Sequence, residues 1–435
     1  MGLSTFSRGI HPPDMKELSS GSPLKPAKQP STAIIPLSQH IGAPCTSTVD
    51  IGQVVLAGQQ IGSAGGFVSA PVHASISGKV SAISVFPMAN GRMVPCIVIE
   101  NNNQNQFVDF EVNKDFMSLS PEELKKKITA AGIVGMGGAT FPTHVKLSPP
   151  KEKPIDAVLI NGAECEPYLT ADHRQMIERP ADVISGLKIL MKVLGVKNGY
   201  VGIENNKPDA IEKMTEAAKS ESAIKIITLE VKYPQGAEKM LIKAILNREV
   251  PAGGLPMDIG VVVQNVGTAA AIYEACALGK PLIERVVSVT GNGIKNPSNL
   301  IVKIGTTFSQ LIEECGGLNN NAVKVISGGP MMGFAVFSLD VPVTKGTSGI
   351  VAMSENQVDA TEKHGPCIRC GRCIEACPMG LIPSMLSIYS ERSMFEGAKE
   401  YHLFDCFECG SCTFVCPAKR PIVQFVRLAK SLVKP

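Results

Sequence analysis

Thirteen cysteines stand in the 435-residue chain, and eight of them fall in two runs of identical spacing. Cys367, Cys370, Cys373 and Cys377 precede Pro378, and Cys406, Cys409, Cys412 and Cys416 precede Pro417. Gaps of two residues let three thiolates of one run close on a [4Fe–4S] cubane, while the fourth reaches the neighbouring cluster. The spacing therefore groups Cys367, Cys370 and Cys373 with Cys416, and Cys406, Cys409 and Cys412 with Cys377. The proline after each fourth cysteine removes a backbone donor and turns the chain away. Structural zinc also uses C-x2-C pairs, but it requires neither the third cysteine nor the fourth before proline, twice over. Two adjacent cubanes have one evident use, the passage of single electrons.

A second set of residues lies two hundred positions earlier. Gly135, Gly137, Gly138 and Ala139 lead into Phe141, Pro142 and Thr143, with Lys146 just beyond. Glycines without Cβ let backbone amides approach phosphate, and a lysine adds a point charge. The loop fits neither the G-x-G-x-x-G fingerprint after a strand nor a Walker loop. Three further polar groups follow: Asn161 to Pro167 with Glu164, Cys165 and Glu166; Tyr233 to Lys239 with Gly236 and Glu238; and Gln264, Asn265 and Thr268. Side-chain amides suit the ring edge of a flavin, and carboxylates suit ribose or a nicotinamide carboxamide.

The elements that must position these residues are legible from periodicity. Ser120-Pro121-Glu122-Glu123 is a helix start, with a hydroxyl cap, proline at the first position and acids at the positive end. Apolar strand segments at 156–160, 199–203, 224–231 and 259–263 alternate with helical patterns at 181–195, 208–219, 237–247 and 267–278. Repeated β-α units imply a largely parallel sheet, whose ligands sit at the carboxyl ends of the strands. All three polar groups belong on that edge. Residues 31–100 read as short strands and turns, with 76–83 resembling the hairpin of a lipoyl carrier but no carrier lysine. Residues 285–345 read as short strands around a helix at 307–315. The segment 417–435 is a basic amphipathic helix, suited either to packing on its own domain or to docking on a partner or membrane surface.

Composition narrows the class. With 44% hydrophobic residues, 19% charged residues and a net charge of +3, the chain can bury sizeable cores and does not match a nucleic-acid-coating protein. No apolar run reaches membrane-spanning length, and residues 1–30 lack the apolar region of a secretory signal. A soluble, intracellular chain is expected. Cys45, Cys96, Cys276 and Cys315 stand alone and are expected to be small buried hydrophobes, while Cys165 lies within the acidic group.

The set Gly137-Gly138-Ala139-x-Phe141-Pro142-Thr143-x-x-Lys146, Asn161-x-x-Glu164-x-Glu166-Pro167 and Asn265-Val266-x-Thr268 resembles the NADH- and FMN-binding subunit of respiratory complex I. With the twin cysteine runs and the opening Arg8-Gly9-Ile10-His11-Pro12-Pro13, the whole chain more closely resembles the RnfC family. Its members are the C subunits of the Rnf complex, a membrane-bound, ion-translocating ferredoxin:NAD+ oxidoreductase. The resemblance implies a multidomain α/β fold. An N-terminal extension covers 1–30, a β barrel-sandwich (lipoyl-like) module 31–105 and a Rossmann-like FMN/NADH-binding core 106–280. A β-grasp module, similar to soluble-ligand-binding domains, covers 281–350, and a helical two-cluster ferredoxin-type domain covers 355–435.

By the same resemblance, Phe141 stacks on the NADH adenine and Lys146 binds phosphate. Asn161, Glu164 and Asn265 contact FMN, and Glu166 and Glu238 lie near NADH. Gly135, Gly137, Gly138, Ala139, Gly236, Gln264 and Thr268 complete the cofactor-binding set. Ala163 and Ala237 stand where the complex I pattern has acids, and Gln264 replaces an asparagine. The implied cofactors are FMN, NAD(H) and two [4Fe–4S] clusters, with no side chain acting as acid or base in the hydride step. The implied partners are the other Rnf subunits, with ferredoxin reached indirectly, on the cytoplasmic face of the bacterial cell membrane. Two other readings share these motifs: a soluble cobalamin reductase of the propanediol-utilisation type, and an electron relay without a working nucleotide site.

Overall fold

The computed structural model describes residues 2–358 and 364–434; residues 1, 359–363 and 435, within the expected terminal extension and cluster domain, lie outside it. The N-terminal extension runs as a strap across the other modules. Ser4 bridges Leu229, Ile10 bridges Tyr233, and the strap ends in β1 (Leu24–Pro26).

The next module contains β2 (Thr32–Pro36), β3 (Thr46–Ser47), β4 (Val54–Val55), β5 (Gln60–Ser63), β6 (Val72–His73), β7 (Gly78–Pro87) and β8 (Met93–Asn101). They form two sheets, β2-β8-β7-β4 and β3-β5-β6, around Ile35, Ile61, Ile97 and Ile99. The expected carrier hairpin at 76–83 is corrected here. The chain bends at Ser75–Ile76 and then enters β7, which continues past residue 83 and pairs antiparallel with β8. A Cβ at Gly78 would stand 1.9 Å from the Glu100 carbonyl, so the close approach of β7 to β8, not a turn, accounts for this glycine.

α1 (Pro121–Ala130) begins as expected: Ser120 Oγ accepts from Glu123 N–H and Glu123 returns the bond to the Ser120 N–H, a capping box. α2 (Thr143–Lys146) closes the glycine loop. The core then alternates through β9 (Ala157–Gly162), α3 (Ala171–Glu178), α4 (Pro180–Leu194), β10 (Gly199–Glu204), α5 (Pro208–Ala217), β11 (Ile224–Leu229), α6 (Glu238–Leu246), β12 (Val261–Asn265) and α7 (Val266–Ala277). All four strands are parallel, in the order β11-β10-β9-β12. The order reverses between β9 and β12, so their following loops diverge and leave a crevice at the carboxyl edge. In the alternating part of this core, from β9 to α7, α3 alone has no counterpart in the sequence-based expectation. Helices α4 and α7 cross over the sheet so closely that a Cβ on Gly186 would lie 1.9 Å from the Ala269 carbonyl.

β13 (Glu284–Thr290), β14 (Ser298–Lys303), α8 (Phe308–Glu314), β15 (Ala322–Ser327), β16 (Phe334–Ala335) and β17 (Gly349–Ser354) follow. Their mixed sheet has the order β1-β14-β13-β17-β15-β16, so the strap lends it an edge strand. Among the described residues five α-helices follow: α9 (Arg372–Ala376), α10 (Pro383–Glu391), α11 (Phe395–Glu400), α12 (Ser411–Phe414) and α13 (Ile422–Leu432).

Helix α13 settles the reading of the basic C-terminal segment. Ile422, Val423, Val426 and Ala429 are buried. Arg420 pairs with Glu391, Arg427 and Lys430 both pair with Glu408, and Lys430 also donates to the Cys406 carbonyl. The helix packs on its own domain, and three cations of the segment, Arg420 just before the helix and Arg427 and Lys430 within it, pair with acids that lie 19 to 29 residues away in sequence.

The α4–α7 crossing gives a stability prediction. Gly186→Ala forces two backbones apart and should cost about 1–3 kcal/mol. A denaturation midpoint for the α/β core equal to that of the parent would contradict the close crossing.

Candidate functional site

The glycine loop hangs over the crevice between β9 and β12. Its base is fixed: Met136 N–H donates to Thr268 Oγ1 (2.8 Å), and Gly135 N–H donates to the Phe141 carbonyl (2.9 Å). Beneath it the fully enclosed Arg285 donates to the Lys345 carbonyl (2.6 Å) and, at 3.4 Å, to that of Met136. Burial lowers the Arg285 guanidinium to about 10. Between these anchors Gly137, Gly138 and Ala139 are exposed, with Gly138 at φ +112° and Thr140 at φ +50°. A Cβ on Gly137 would face Asn265 at 3.5 Å. The backbone is thus open where an anionic group would lie, and Gly138 supplies a conformation that L side chains resist.

The structure brings the expected residues together in pairs. Lys146, at the end of α2, donates to Glu238 Oε1 (2.8 Å) and to the Val263 carbonyl (3.0 Å). Asn161, at the end of β9, donates to the Gly236 carbonyl (2.7 Å) and accepts from Ala163 N–H (3.2 Å). Asn265 caps α7 by accepting from Gly267 N–H (2.8 Å), and its amide donates to Asp172 Oδ2 (2.7 Å). Phe141 is half-buried beside α2.

Two acids have other tasks. Glu164, at φ +48°, accepts from Asp172 N–H (2.7 Å) and His173 N–H (3.1 Å), so it caps α3 rather than opening into the crevice. Glu166 accepts from Met331 N–H (3.1 Å) and Met332 N–H (2.8 Å), which ties the β9 loop to the loop before β16. Burial pushes its carboxyl up to about 7, against the pull of those two amides. Ala163 is fully buried beneath the sheet edge, and Lys207 holds its carbonyl at 2.7 Å.

Asp172 escaped the sequence reading, and Gln235 lay within its second polar group but outside the cofactor-binding set. Asp172 sits at the start of α3, bonded to Asn265, with its carboxyl raised by burial and by the Glu164 charge. Gln235, one residue before Gly236, is fully buried with neither amide atom bonded; the Gln264 Nε2 is likewise buried and unpartnered. Buried amides without partners are costly, and these two, at the carboxyl edge, are available to a polar ligand. A flavin fits: donors and acceptors for a polar ring edge lie beside an exposed glycine backbone and a lysine for phosphate.

The cysteine lobe repeats its backbone as well as its spacing. Left-handed residues occur at Arg369, Gly371 and Gly380, and again thirty-nine positions later at Glu408, Gly410 and Lys419. Cys377, Cys406, Cys409 and Cys412 line one apolar cavity with Pro378, which is one of the two groupings that the spacing demands. Among the described residues no three donors converge as a single ion would need. A cubane instead takes each thiolate at a different corner, around a void. Cys373 and Cys416 from the other grouping share an apolar cluster with Cys412, Ile422 and Val423, and Cys370 is exposed. Cys45, Cys96, Cys276 and Cys315 are buried singly, as expected. His144 turns to the barrel module, where its Nε2 bonds the Phe67 carbonyl (2.8 Å).

Comparison with known proteins identifies these modules. The Nuo51 FMN-binding domain matches residues 128–274, the RnfC barrel sandwich hybrid domain 4–104, the SLBB domain 286–335 and the 4Fe-4S dicluster domain 366–419. A chain of an NAD+-reducing [NiFe]-hydrogenase in its H2-reduced state shares the fold at TM-score 0.51 and 16% identity, over 74% of this chain and 64% of that one. Fold and site together define an α/β electron-transfer protein that carries FMN and two [4Fe–4S] clusters.

The C subunit of the proton-translocating ferredoxin:NAD(+) oxidoreductase complex of Clostridium ljungdahlii is 50% identical over 99% of this chain and 94% of its own length. The corresponding protein of the Na(+)-translocating complex of Acetobacterium woodii is 48% identical over 98% and 96%. That of the ion-translocating oxidoreductase complex of Rhodobacter capsulatus is 43% identical over 98% and 83%. The chain belongs to the RnfC family of Rnf complex subunits.

The raised Glu166 carboxyl sets a pH dependence. Its folded-state value of about 7 exceeds the ordinary carboxylate value, so the folded state holds the proton more tightly than the unfolded chain. The stability it contributes is full below the ordinary value and is lost as pH rises through about 7. Glu166→Gln should therefore lose less melting temperature than the parent between about pH 5 and about pH 8. Equal losses in the two proteins would contradict this.

Proposed function

We propose that the chain is the NADH-oxidising or NAD+-reducing subunit of an Rnf complex, passing electrons between NAD(H), FMN and two [4Fe–4S] clusters in ferredoxin:NAD+ oxidoreduction coupled to ion translocation. The observation that carries this reading is the contact between two unlike sites in one chain: a crevice with unpartnered buried amides beside an exposed glycine loop, and a lobe in which four thiols line one apolar cavity, joined by the bond from Tyr233 to the Cys409 carbonyl. The relatives' names supply the overall reaction, ferredoxin with NAD+.

FMN, when bound, lets two-electron hydride exchange with NAD(H) meet one-electron carriers. The chain's residues bind and orient. The amides of Gly137, Gly138 and Ala139 and the Lys146 ammonium receive phosphate, with Gly135 and Thr268 fixing the loop. Asn161, Gly236, Gln264 and Asn265 face the flavin edge, Glu164 holds that edge through α3, and Phe141 receives the adenine. Glu238 balances Lys146, and Glu166 closes the neighbouring loop. No side chain need exchange a proton in the hydride step, so substitutions change affinity or potential rather than delete a catalytic group.

We further assign Cys367, Cys370, Cys373 and Cys416 to one cluster, and Cys377, Cys406, Cys409 and Cys412 to the other. Module boundaries near 30, 105, 280 and 350 follow the sequence reading. No helix among the described residues is long and apolar enough to cross a membrane. In this reading the chain docks peripherally, on the cytoplasmic face, against other Rnf subunits, and exchanges electrons with ferredoxin through them. Rnf proteins matching 99% of the chain favour this over the cobalamin reductase reading.

Isolated without oxygen, the chain should carry about eight irons and one FMN. Lys146→Met should raise the FMN dissociation constant of deflavinated chain by about ten-fold, the usual cost of losing a hydrogen bond to a charged group. Flavin fluorescence titration reads this, and an unchanged constant would remove Lys146 from the site.

A further inference from the structure

Tyr233 is the bulkiest fully buried side chain among the described residues, 1% exposed. A phenol that deep needs a partner for its hydroxyl, and it takes one from the other lobe: Tyr233 Oη donates to the Cys409 carbonyl at 2.6 Å. Its backbone is fixed as well, exchanging hydrogen bonds of 2.8 Å in both directions with Ile10 of the strap. Three residues on, Gly236 gives its N–H to Cys165 Sγ (3.2 Å) and takes the Asn161 amide on its carbonyl (2.7 Å). One hydrogen bond and three peptide units thus link a residue of the crevice to a ligand of the inner thiol group. Ile10, Ala376, Met331 and Val415 pack around this link and keep it apolar. The other group meets the strap instead, through an exposed bond from Arg8 Nη1 to the Ile374 carbonyl (3.2 Å), and its Cys370 is exposed.

We propose that Tyr233 is the positioning residue that couples the crevice to the cluster of Cys377, Cys406, Cys409 and Cys412, through its hydroxyl bond to the Cys409 carbonyl. That cluster is then the inner one, and the cluster of Cys367, Cys370, Cys373 and Cys416 faces outward. The proposal rests on the electron-transfer reading above. The balance is simple: one NADH becomes NAD+ and H+, and its two electrons leave singly, one to each oxidised cubane, with no bond made or broken at the protein. A donor aimed at a ligand residue's carbonyl stabilises the added negative charge of the reduced cluster, which is how outer contacts tune such potentials.

The test uses the full chain carrying FMN and both clusters, handled without oxygen. In Tyr233→Phe, potentiometric titration followed by electron paramagnetic resonance should show one cluster harder to reduce, by about five-fold in its electron-sharing equilibrium with the flavin, and the other unmoved. Iron content should stay at the parent value. Two unmoved potentials would overturn the proposal. A second variant covers loss of iron from the first: Cys370→Ala, in the exposed outer loop, should retain one cluster, with the parent potential of the signal that Tyr233→Phe shifts, and NADH should still reduce it through the flavin. If that cluster stays oxidised while NADH bleaches the flavin, the order is wrong. If NADH fails to bleach flavin in the unmodified chain, the electron-transfer reading fails instead.

Discussion

The structure depends on a contact between two surfaces of opposite chemistry: the polar carboxyl edge of a parallel sheet and a lobe built around sulfur. Electron transfer falls off steeply with distance, so a crevice that exchanges electron pairs and cavities that exchange single electrons must touch and must stay dry. The chain meets this with a narrow apolar seam in which Tyr233, Ile10 and Ala376 are buried and one hydroxyl bond crosses to Cys409. The rest of the fold supports that seam. The strap runs through it and then donates Lys16 to the Glu166 and Leu169 carbonyls (3.0 and 2.6 Å). Glu166 grips Met331 and Met332, whose loop presses on the cluster loop so closely that a Cβ on Gly410 would stand 2.8 Å from the Met331 carbonyl.

The sheet explains why the crevice lies where it does. In the order β11-β10-β9-β12 the chain leaves β9 to one side and β12 to the other, so Asn161 and Asn265 end neighbouring strands and flank one opening. Both asparagines then use their amides structurally, on Gly236 and on the α7 cap. A site assembled in this way is stiff before any ligand enters, which lowers the ordering cost of binding. The buried ionic groups below it, Arg285 among them, are held by backbone carbonyls, which fixes the loop from underneath.

Much of this was legible in the sequence because it is local or rigidly spaced. The cysteine runs specify their groupings within fifty residues, and the Ser120–Glu123 box and four β-α units follow from period and capping. What stayed hidden depends on distant partners. The basic C-terminal segment invites a docking reading until its apolar face is seen buried and Arg420, Arg427 and Lys430 are seen paired with Glu391 and Glu408. Glu164 looks like a cofactor contact because its N–H donors lie on α3, eight and nine residues on. At the start of α3, where Asp172 was missed, the Thr170 at the N-cap turns its hydroxyl to the distant Asn299 and the cap is supplied from outside the helix by that same glutamate. The thirty-nine-residue repeat of left-handed positions is half concealed, since Arg369, Glu408 and Lys419 stand where glycine would have announced the turn.

The central claim is that one chain carries electrons between NAD(H) and both clusters. The most direct measurement starts from the loaded chain fully reduced by dithionite and freed of excess reductant, to which NAD+ is then added without oxygen. One FMN holds two electrons and each cubane one, so the account predicts about two NADH formed per chain, with loss of both cluster signals. Clusters that stay reduced while no NADH appears would contradict it.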